Sequence, residues 1–169
     1  MREGGRIAVR NAAVSDATTL IMLMRELAAY EATLDDGYDG VVSVSPEQLG
    51  ALMADGSVEA LIAEDASGEA VGCATFFQTR STWTGEACMY LEDLFVTRGS
   101  RRTGAGHALM TALAAVCERR GMRRIDWICS ASNAAGLGFY ERLGAVRMDE
   151  CAHHRLSGDA LRALMDEGH

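Results

Sequence analysis

The segment SRRTGAGHALM, residues 100–110, is the most informative part of the chain about its fold. Two arginines precede two glycines that stand two positions apart, and small apolar residues follow in the manner of a helix. The first N–H groups of a helix lack partners within it, and the helix dipole adds partial positive charge there. Glycines let a ligand approach this backbone closely. The segment therefore predicts a helix start that binds a phosphate or pyrophosphate.

Two common nucleotide-binding motifs fail in this segment. The P-loop pattern fits at Gly99 and Gly104, but Ala105 stands where the pattern needs a lysine. The dinucleotide-binding pattern lacks its third glycine, because Leu109 occupies that position. A pyrophosphate on another cofactor is the better candidate ligand, and an ordinary glycine turn without a ligand is the alternative.

The residues before this segment predict strands and two helices. Periodicity and turn residues place strands at 6–11, 58–64, 70–79 and 87–96, the last three as an antiparallel meander. Helices are expected from 15 to about 30 and from 45 to about 55. Ser15 and Ser45 are the expected N-caps, and Pro46 suits a first helical position.

The residues after Gly104 change to a helical period. They predict a helix that ends at Gly121, a strand at 124–129, a helix at 133–143, one or two strands at 145–156 and a short helix at 159–166. A meander followed by a βαβ unit predicts one α/β (α+β) domain over residues 1–169, with a mixed sheet flanked by helices.

Composition excludes several classes of partner. A net charge of −8 argues against nucleic-acid binding, because phosphates would be repelled. No apolar run is long enough for a membrane span, and the N-terminus lacks the apolar core of a signal peptide. The five cysteines never form a CxxC pair, which indicates reduced thiols in a cytoplasmic protein. His153 and His154 would face opposite ways on a strand without a third ligand nearby, so we expect no metal site.

Two further segments carry candidate chemistry. MYLEDLFV, residues 89–96, places Glu92 and Asp93 inside an apolar strand, where an unpaired charge is costly. Each carboxylate either pairs with an arginine for structure or holds a cationic amine and acts as a base. Strand neighbours point to opposite faces unless a bulge intervenes. On a helix, Asn133, Leu137 and Tyr140 would share one face, which would present an amide and a phenol.

Together these segments resemble the GCN5-related N-acetyltransferase superfamily. Arg101, Gly104 and Gly106 match its Arg-x-x-Gly-x-Gly signature. The helix NAAGLGFYERLGA, residues 133–145, is similar to its Asn…Phe-Tyr-x-x-x-Gly segment. The resemblance implies the acyltransferase fold of that superfamily, whose sheet is mostly antiparallel and has splayed strands.

Residues 6–147 also resemble the diamine (spermidine/spermine) N-acetyltransferase branch of that superfamily. The similarity includes residues 7–31, which end in the pattern Glu-Leu-Ala-x-Tyr-Glu, and the block formed by Trp83, Gly85 and YLEDLFV. The chain differs near its C-terminus, where HHRLSG, residues 153–158, replaces a Trp-Arg-Leu pattern and His154 replaces the aromatic residue.

The resemblance implies acetyl-CoA as the cofactor and assigns roles residue by residue. Tyr140 would be the general acid near the thioester sulfur, and Glu92 the base, through a water. The acceptor site would be lined by Glu31, Trp83, Glu92 and Asp93. The coenzyme would be bound by backbone or side-chain groups of Leu94, Phe95, Val96, Arg101, Arg102, Thr103, Gly104, Ala105, Gly106, Asn133 and Tyr140. The acidic loop with Asp35, Asp36 and Asp39 either faces the amine or is simply solvated.

The implied function is acetyl-CoA-dependent N-acetylation of a primary amine by direct transfer. An alkylammonium with a pKa of about 10.4 must lose a proton before it attacks, which explains the need for a base. The expected substrate is a small molecule, a di- or polyamine or a lysine-like amino acid, and the resemblance implies a homodimer. The alternatives are acetylation of a protein lysine or N-terminus and a non-catalytic acyl-CoA-binding module.

Overall fold

A five-stranded sheet organises the first part of the chain in a computed structural model that describes residues 6–34 and 40–168. The strands lie side by side in chain order: β1 (Ala8–Asn11), β2 (Glu59–Glu64), β3 (Ala70–Arg80), β4 (Ala87–Val96) and β5 (Ile125–Asp126). β1 to β4 are antiparallel, and β5 is parallel to β4. The predicted mixed, mostly antiparallel sheet is confirmed.

Three helices cover the two faces of this sheet: α1 (Ala17–Glu31), α2 (Pro46–Ala54) and α3 (Ala105–Arg120). Two more helices follow in the chain, α4 (Ala134–Arg142) and α5 (Gly158–Glu167), and 3₁₀ turns lie at Val14–Asp16 and Arg98–Ser100. α1 and α2 pack against one set of strand residues, such as Ile62 and Cys73, whereas α3 packs against their neighbours Leu61 and Ala74. Alternate residues of a strand therefore serve two separate cores. Within the described ranges, no helix is long and apolar enough to cross a membrane.

The helix ends test the predicted caps. Ser45 Oγ accepts a hydrogen bond from the Gln48 N–H, and the Gln48 side chain accepts one from the Ser45 N–H, so this predicted cap is confirmed. The predicted cap at Ser15 is wrong, because Ser15 lies inside the first 3₁₀ turn. Asp16 instead accepts a hydrogen bond from the Ala13 N–H and forms an ion pair with Arg10. This ion pair connects β1 to the turn that precedes α1.

The described chain divides into two compact units, residues up to Asn133 and residues from Ala134. The second unit holds α4 and α5, close to the predicted positions. The strands predicted at 145–156 are wrong, since no described residue of this segment belongs to a strand. Its apolar side chains, such as Val146, are exposed. A strand needs a neighbour for its ladder of hydrogen bonds, and sequence alternation alone does not supply one. The strand predicted at 124–129 is reduced to β5.

Candidate active site

A β-bulge in β4 sets the direction of the two candidate carboxylates. Thr75 of β3 pairs with Asp93, and the next residue, Phe76, pairs with Leu91, so Glu92 is an extra residue without a partner across the ladder. A bulge interrupts the regular alternation of side chains and bends the strand. Glu92 and Asp93 are therefore not forced to opposite faces of the sheet, and the bulge allows both to serve one site. Glu92 is exposed, and Asp93 is partly buried.

Asp93 is a carboxylate withdrawn from water. Thr75, which is only 1% exposed, donates a hydrogen bond from Oγ1 to Asp93 Oδ2 at 2.5 Å. Burial raises the pKa of Asp93, and the bond from Thr75 opposes this shift only in part. None of the ion pairs found among the described residues involves Glu31, Glu92 or Asp93. Structural pairing with an arginine therefore does not account for these carboxylates.

Glu31, Glu92 and Asp93 form what we call the acidic cluster. Glu31 is the last residue of α1, and Glu92 is the bulge residue of β4. Burial raises the pKa of Glu31, and partial desolvation of its carboxyl group raises the pKa of Glu92 although that residue is exposed as a whole. The negative charge of Asp93 raises each further. Carboxylates that repel one another without a counter-cation favour binding of a cation or a proton. The cluster can thus hold an ammonium group or take up a proton from one.

One edge of β4 is left open beside this cluster. Among the described residues, β5 pairs with β4 only at Met89 and Tyr90. The Thr97 N–H donates to the Val71 carbonyl in β3, so strand alternation directs the Leu94 and Val96 N–H groups to the opposite edge. The second half of β4 thus presents backbone hydrogen-bonding groups where β5 has diverged, as expected for splayed strands.

The glycine turn, residues 99–106, ends at the start of α3. Gly104 caps the helix with a φ of +94°, and Arg102 also has a positive φ of 66°. A Cβ added at Gly104 would meet no atom of the described residues within 4 Å, so this helix end is open to that extent. Left-handed backbone next to free helix N–H groups makes an anion-binding concavity. The backbone geometry of the turn is therefore suited to binding an anion, and the pyrophosphate site stays a prediction.

Arg101, Tyr30 and Asn133 form a chain of contacts beside the turn. The Arg101 guanidinium carbon lies 4.4 Å from the centre of the Tyr30 ring, and Arg101 Nε donates to the Val96 carbonyl at 3.3 Å. The Tyr30 hydroxyl donates to Asn133 Oδ1 at 2.9 Å. The structure thus brings together two residues that were predicted separately, Arg101 and Asn133, through one that was not predicted.

Other predicted site residues lie elsewhere. Trp83, in the turn between β3 and β4, is 98% exposed and is not part of the acidic cluster. Asn133 immediately precedes α4, so the helix predicted from residue 133 begins one residue later. Tyr140 lies in α4 of the second unit, with its ring edge-on to Phe139 at 5.3 Å. The aspartates of the acidic loop, Asp35, Asp36 and Asp39, lie outside the described residues.

Two contributors to the site were missed from sequence. Thr75 carries the single hydroxyl group in the apolar run VGCATFF, residues 71–77. This isolated polar group could have indicated that Thr75 has a hydrogen-bond partner in the interior. Tyr30 immediately precedes Glu31 in a segment that was quoted only for its resemblance. Neither residue could be connected to its partner without the register of β3 on β4 or the path of α1.

Several known proteins are similar to this chain in sequence and in fold. The acetyltransferase (GNAT) family matches residues 26–145. Thialysine N-epsilon-acetyltransferase from Bos taurus is 32% identical over 178 residues, which cover 94% of this chain and 96% of that protein. L-ornithine N5-acetyltransferase from Arabidopsis thaliana is 36% identical over 93 residues, 55% of this chain and 41% of that protein. The chain thus spans less than half of the plant enzyme and nearly all of the bovine one.

A solved structure supports the fold. An integron cassette protein from the mobile metagenome of V. cholerae superimposes with a TM-score of 0.74 at 24% identity, over 94% of this chain and 97% of that one. The family match covers the glycine turn, all of β4 and the helix that contains Tyr140. The resemblance drawn from the sequence is confirmed, and the chain belongs to the acetyltransferase (GNAT) family of enzymes.

Proposed function

We propose that this chain transfers an acetyl group from acetyl-CoA to a primary amine of a small molecule. The observation that carries the proposal is the acidic cluster beside the open edge of β4, three carboxylates that form no ion pair with any cationic side chain of residues 6–34 and 40–168. Such a cluster favours a cationic amine over a neutral or anionic acceptor. The names of two relatives point to amine-bearing amino acids, ornithine and thialysine. A lysine-like amino acid is therefore the preferred acceptor, and a di- or polyamine is the next.

The residues around the glycine turn fit the coenzyme. Acetyl-CoA, when bound, supplies an acetyl thioester and an anionic pyrophosphate. The backbone N–H groups of residues 101–106 would bind the pyrophosphate, because they lie at the start of α3 next to open space at Gly104. The backbone of residues 94–96 would bind the pantetheine arm through the edge that β5 leaves open. Asn133 would add a side-chain amide.

The acidic cluster would prepare the amine. Glu31 and Asp93 would hold the ammonium form, and Glu92 would remove its proton through a water. Because burial and Asp93 raise the pKa of Glu92, the gap to the pKa of an amine is narrower than for a free glutamate. The neutral nitrogen would then form a bond to the acetyl carbon while the carbon–sulfur bond breaks. Tyr140 would donate its phenolic proton to the departing sulfur, and the acetylated nitrogen would lose its remaining extra proton through solvent to the phenolate of Tyr140. No covalent enzyme intermediate is needed.

The proposal also covers the domain organisation, the oligomeric state and the partners of the chain. We propose a single acetyltransferase domain over residues 1–169, because the family match from 26 to 145 crosses the boundary between the two units. A homodimer is supported by exposed apolar side chains in the second unit, such as Val146 and Leu164. The net charge of −8 argues against nucleic-acid partners, and the five cysteines without a CxxC pair support a cytoplasmic enzyme. The sequence also has no apolar run long enough for a membrane span.

The test is release of free thiol from acetyl-CoA in the presence of a panel of acceptors. The panel contains lysine, thialysine, ornithine, putrescine, spermidine and a basic histone-tail peptide. The proposal predicts that a free small amine gives the highest kcat/KM. Activity on the peptide alone would favour protein acetylation, and coenzyme binding without thiol release from any acceptor would favour a non-catalytic module.

A further inference from the structure

Tyr30 lies between two residues that the proposed function assigns to the coenzyme. Its ring faces the guanidinium of Arg101 at 4.4 Å, and its hydroxyl donates to Asn133 Oδ1 at 2.9 Å. Arg101 belongs to the glycine turn, and Asn133 closes a turn by donating its N–H to the Ser130 carbonyl. One side chain of α1 thus contacts both segments, which are 32 positions apart in sequence.

We propose that Tyr30 is a positioning residue for the coenzyme, which holds Arg101 and Asn133 in the orientations that bind it. The inference rests on the proposed function, because that proposal supplies the coenzyme. It adds a role for a residue of α1, the helix that also carries Glu31 of the acidic cluster.

The contacts of Arg101 explain the positioning. An exposed arginine has many rotamers, and freezing them on binding costs free energy. In this structure the Tyr30 ring supports the flat face of the guanidinium, Phe95 lies 6.0 Å away, and Nε donates to the Val96 carbonyl. Among the described residues, no hydrogen bond is found for the two outer nitrogens of Arg101. The group is therefore held by its face and by Nε, and its outer N–H groups remain available to an anion.

The contact with Asn133 acts on an amide. Because the Tyr30 hydroxyl is a donor to Oδ1, it fixes which way the amide points. An amide that is already held in one orientation can contact a ligand without a further cost of ordering. Loss of the hydroxyl alone should therefore weaken coenzyme binding, even when the ring that supports Arg101 is kept.

The place of Tyr30 in α1 provides a discriminating readout. Glu31 follows directly, so a change that merely loosened the end of α1 would also disturb the amine site. A pure positioning role predicts a higher KM for acetyl-CoA and an unchanged KM for the amine. Thr33 offers a matched control, because its Oγ1 donates to the Tyr30 carbonyl at 2.6 Å without contacting the ring or its hydroxyl.

The experiment compares the full-length wild type with Tyr30→Phe, Tyr30→Leu and Thr33→Ala. Both KM values are measured with the best amine of the panel, and CoA affinity is measured by calorimetry. We expect Tyr30→Phe to raise the KM for acetyl-CoA about fivefold, the typical effect of one hydrogen bond. Tyr30→Leu should raise it more than tenfold, because the cation–π contact is lost as well. The KM for the amine should stay near the wild-type value, as both constants should for Thr33→Ala.

A double-variant cycle isolates the contact with Arg101. If Tyr30 acts through Arg101, Tyr30→Leu should weaken coenzyme binding much less in an Arg101→Gln background than in the wild type. Equal increases in the two KM values, or fully additive effects, would overturn the inference. Unchanged CoA binding by both Tyr30 variants would remove this inference alone, whereas a wild type that binds no coenzyme would overturn the proposed function with it.

Discussion

Asp93 is the residue on which the acidic cluster depends. It accepts a hydrogen bond from the buried hydroxyl of Thr75, and its charge raises the pKa of Glu31 and of Glu92. The sequence showed two adjacent carboxylates in an apolar strand, but it could not show that they serve one site. That depends on the bulge, and the bulge depends on how β3 pairs with β4. Register is a property of two strands together, so the local pattern of one strand does not contain it.

Asp93→Asn should change stability in a pH-dependent way. Burial raises the pKa of Asp93 in the folded state, so protonation of Asp93 favours folding. Its contribution to the free energy of unfolding is complete in acid and is lost as pH rises through the folded-state pKa. An amide stays neutral at every pH, and its oxygen can still accept from Thr75. We expect a higher free energy of unfolding than wild type at pH 7 and a smaller difference at pH 4, measured by urea denaturation.

Glu118→Gln on the exposed face of α3 is the control for removal of a carboxylate from an exposed site. Acetyl transfer should fall in Asp93→Asn, because the ammonium loses a counter-charge. If Asp93→Asn is less stable than wild type by an equal amount at pH 7 and pH 4, this would contradict the assignment of a carboxylate whose charged form is destabilised by burial.

Glu92→Gln should remove the general base. We expect kcat/KM to fall about 100-fold, at the low end of the usual range for acid–base catalysis. The inflection of the pH–rate profile that belongs to Glu92 should disappear. Because the pKa of Glu92 is raised, that inflection should lie above the pH expected for an ordinary glutamate in the wild type. Glu86→Gln, an exposed change just before β4, should leave the profile as it is; a Glu92→Gln profile identical to wild type would exclude the role.

Tyr140→Phe tests the proposed acid. The change keeps the ring that packs edge-on against Phe139 and removes the hydroxyl group that carries the phenolic proton. Turnover should fall about 100-fold because the departing thiolate is no longer protonated, while CoA affinity measured by calorimetry should stay within about twofold. Undiminished kcat would show that another group, or water, supplies the proton.

The elements were predictable where local chemistry determines them. β4 has the predicted limits, Ser45 forms its cap, and α3 ends at the left-handed Gly121. These features depend on neighbouring residues, which the sequence displays. The strands expected at 145–156 did not form, because a strand also needs a partner from elsewhere in the fold. The shortening of β5 has the same origin, and it is what leaves the edge of β4 open.

Gly104→Val tests the start of α3 as the coenzyme site. A β-branched side chain strains the left-handed backbone and fills the open space where the pyrophosphate would lie. We expect CoA affinity to fall at least 100-fold by calorimetry. Gly121→Val is the matched control, since Gly121 lies at the other end of the same helix and has a φ of +67°. A Cβ there would also meet no atom of residues 6–34 or 40–168 within 4 Å. The two variants should lose similar stability, and retained CoA affinity in Gly104→Val would refute the site.

For the molecule as a whole, the first unit contains the sheet, the acidic cluster and the glycine turn, whereas Tyr140 belongs to the second. The family and its fold could be read from the sequence because the glycine turn and the Phe-Tyr segment stand in a fixed order. The structure added Tyr30 and Thr75, whose partners lie far away in sequence. Exposed apolar side chains mark the second unit, with Val146 82% exposed.

These exposed side chains lead to a prediction about assembly. We expect sedimentation equilibrium to give twice the chain mass of 18.1 kDa. Val146→Glu combined with Leu164→Glu should shift the protein toward monomer, because burying two charges in an interface is costly. Met22→Glu, at an equally exposed site on α1, should remain dimeric. A wild type that sediments as a monomer at all concentrations would contradict the proposed homodimer.

The most direct test of the account is the identity of the acetylated product. The wild type is incubated with acetyl-CoA and the best lysine-like amine, and the product is analysed by mass spectrometry and NMR. The account predicts a single added acetyl group on the side-chain amine, formed far more slowly by Glu92→Gln. Bound coenzyme with no acetylated small amine, while a peptide lysine is acetylated, would contradict it.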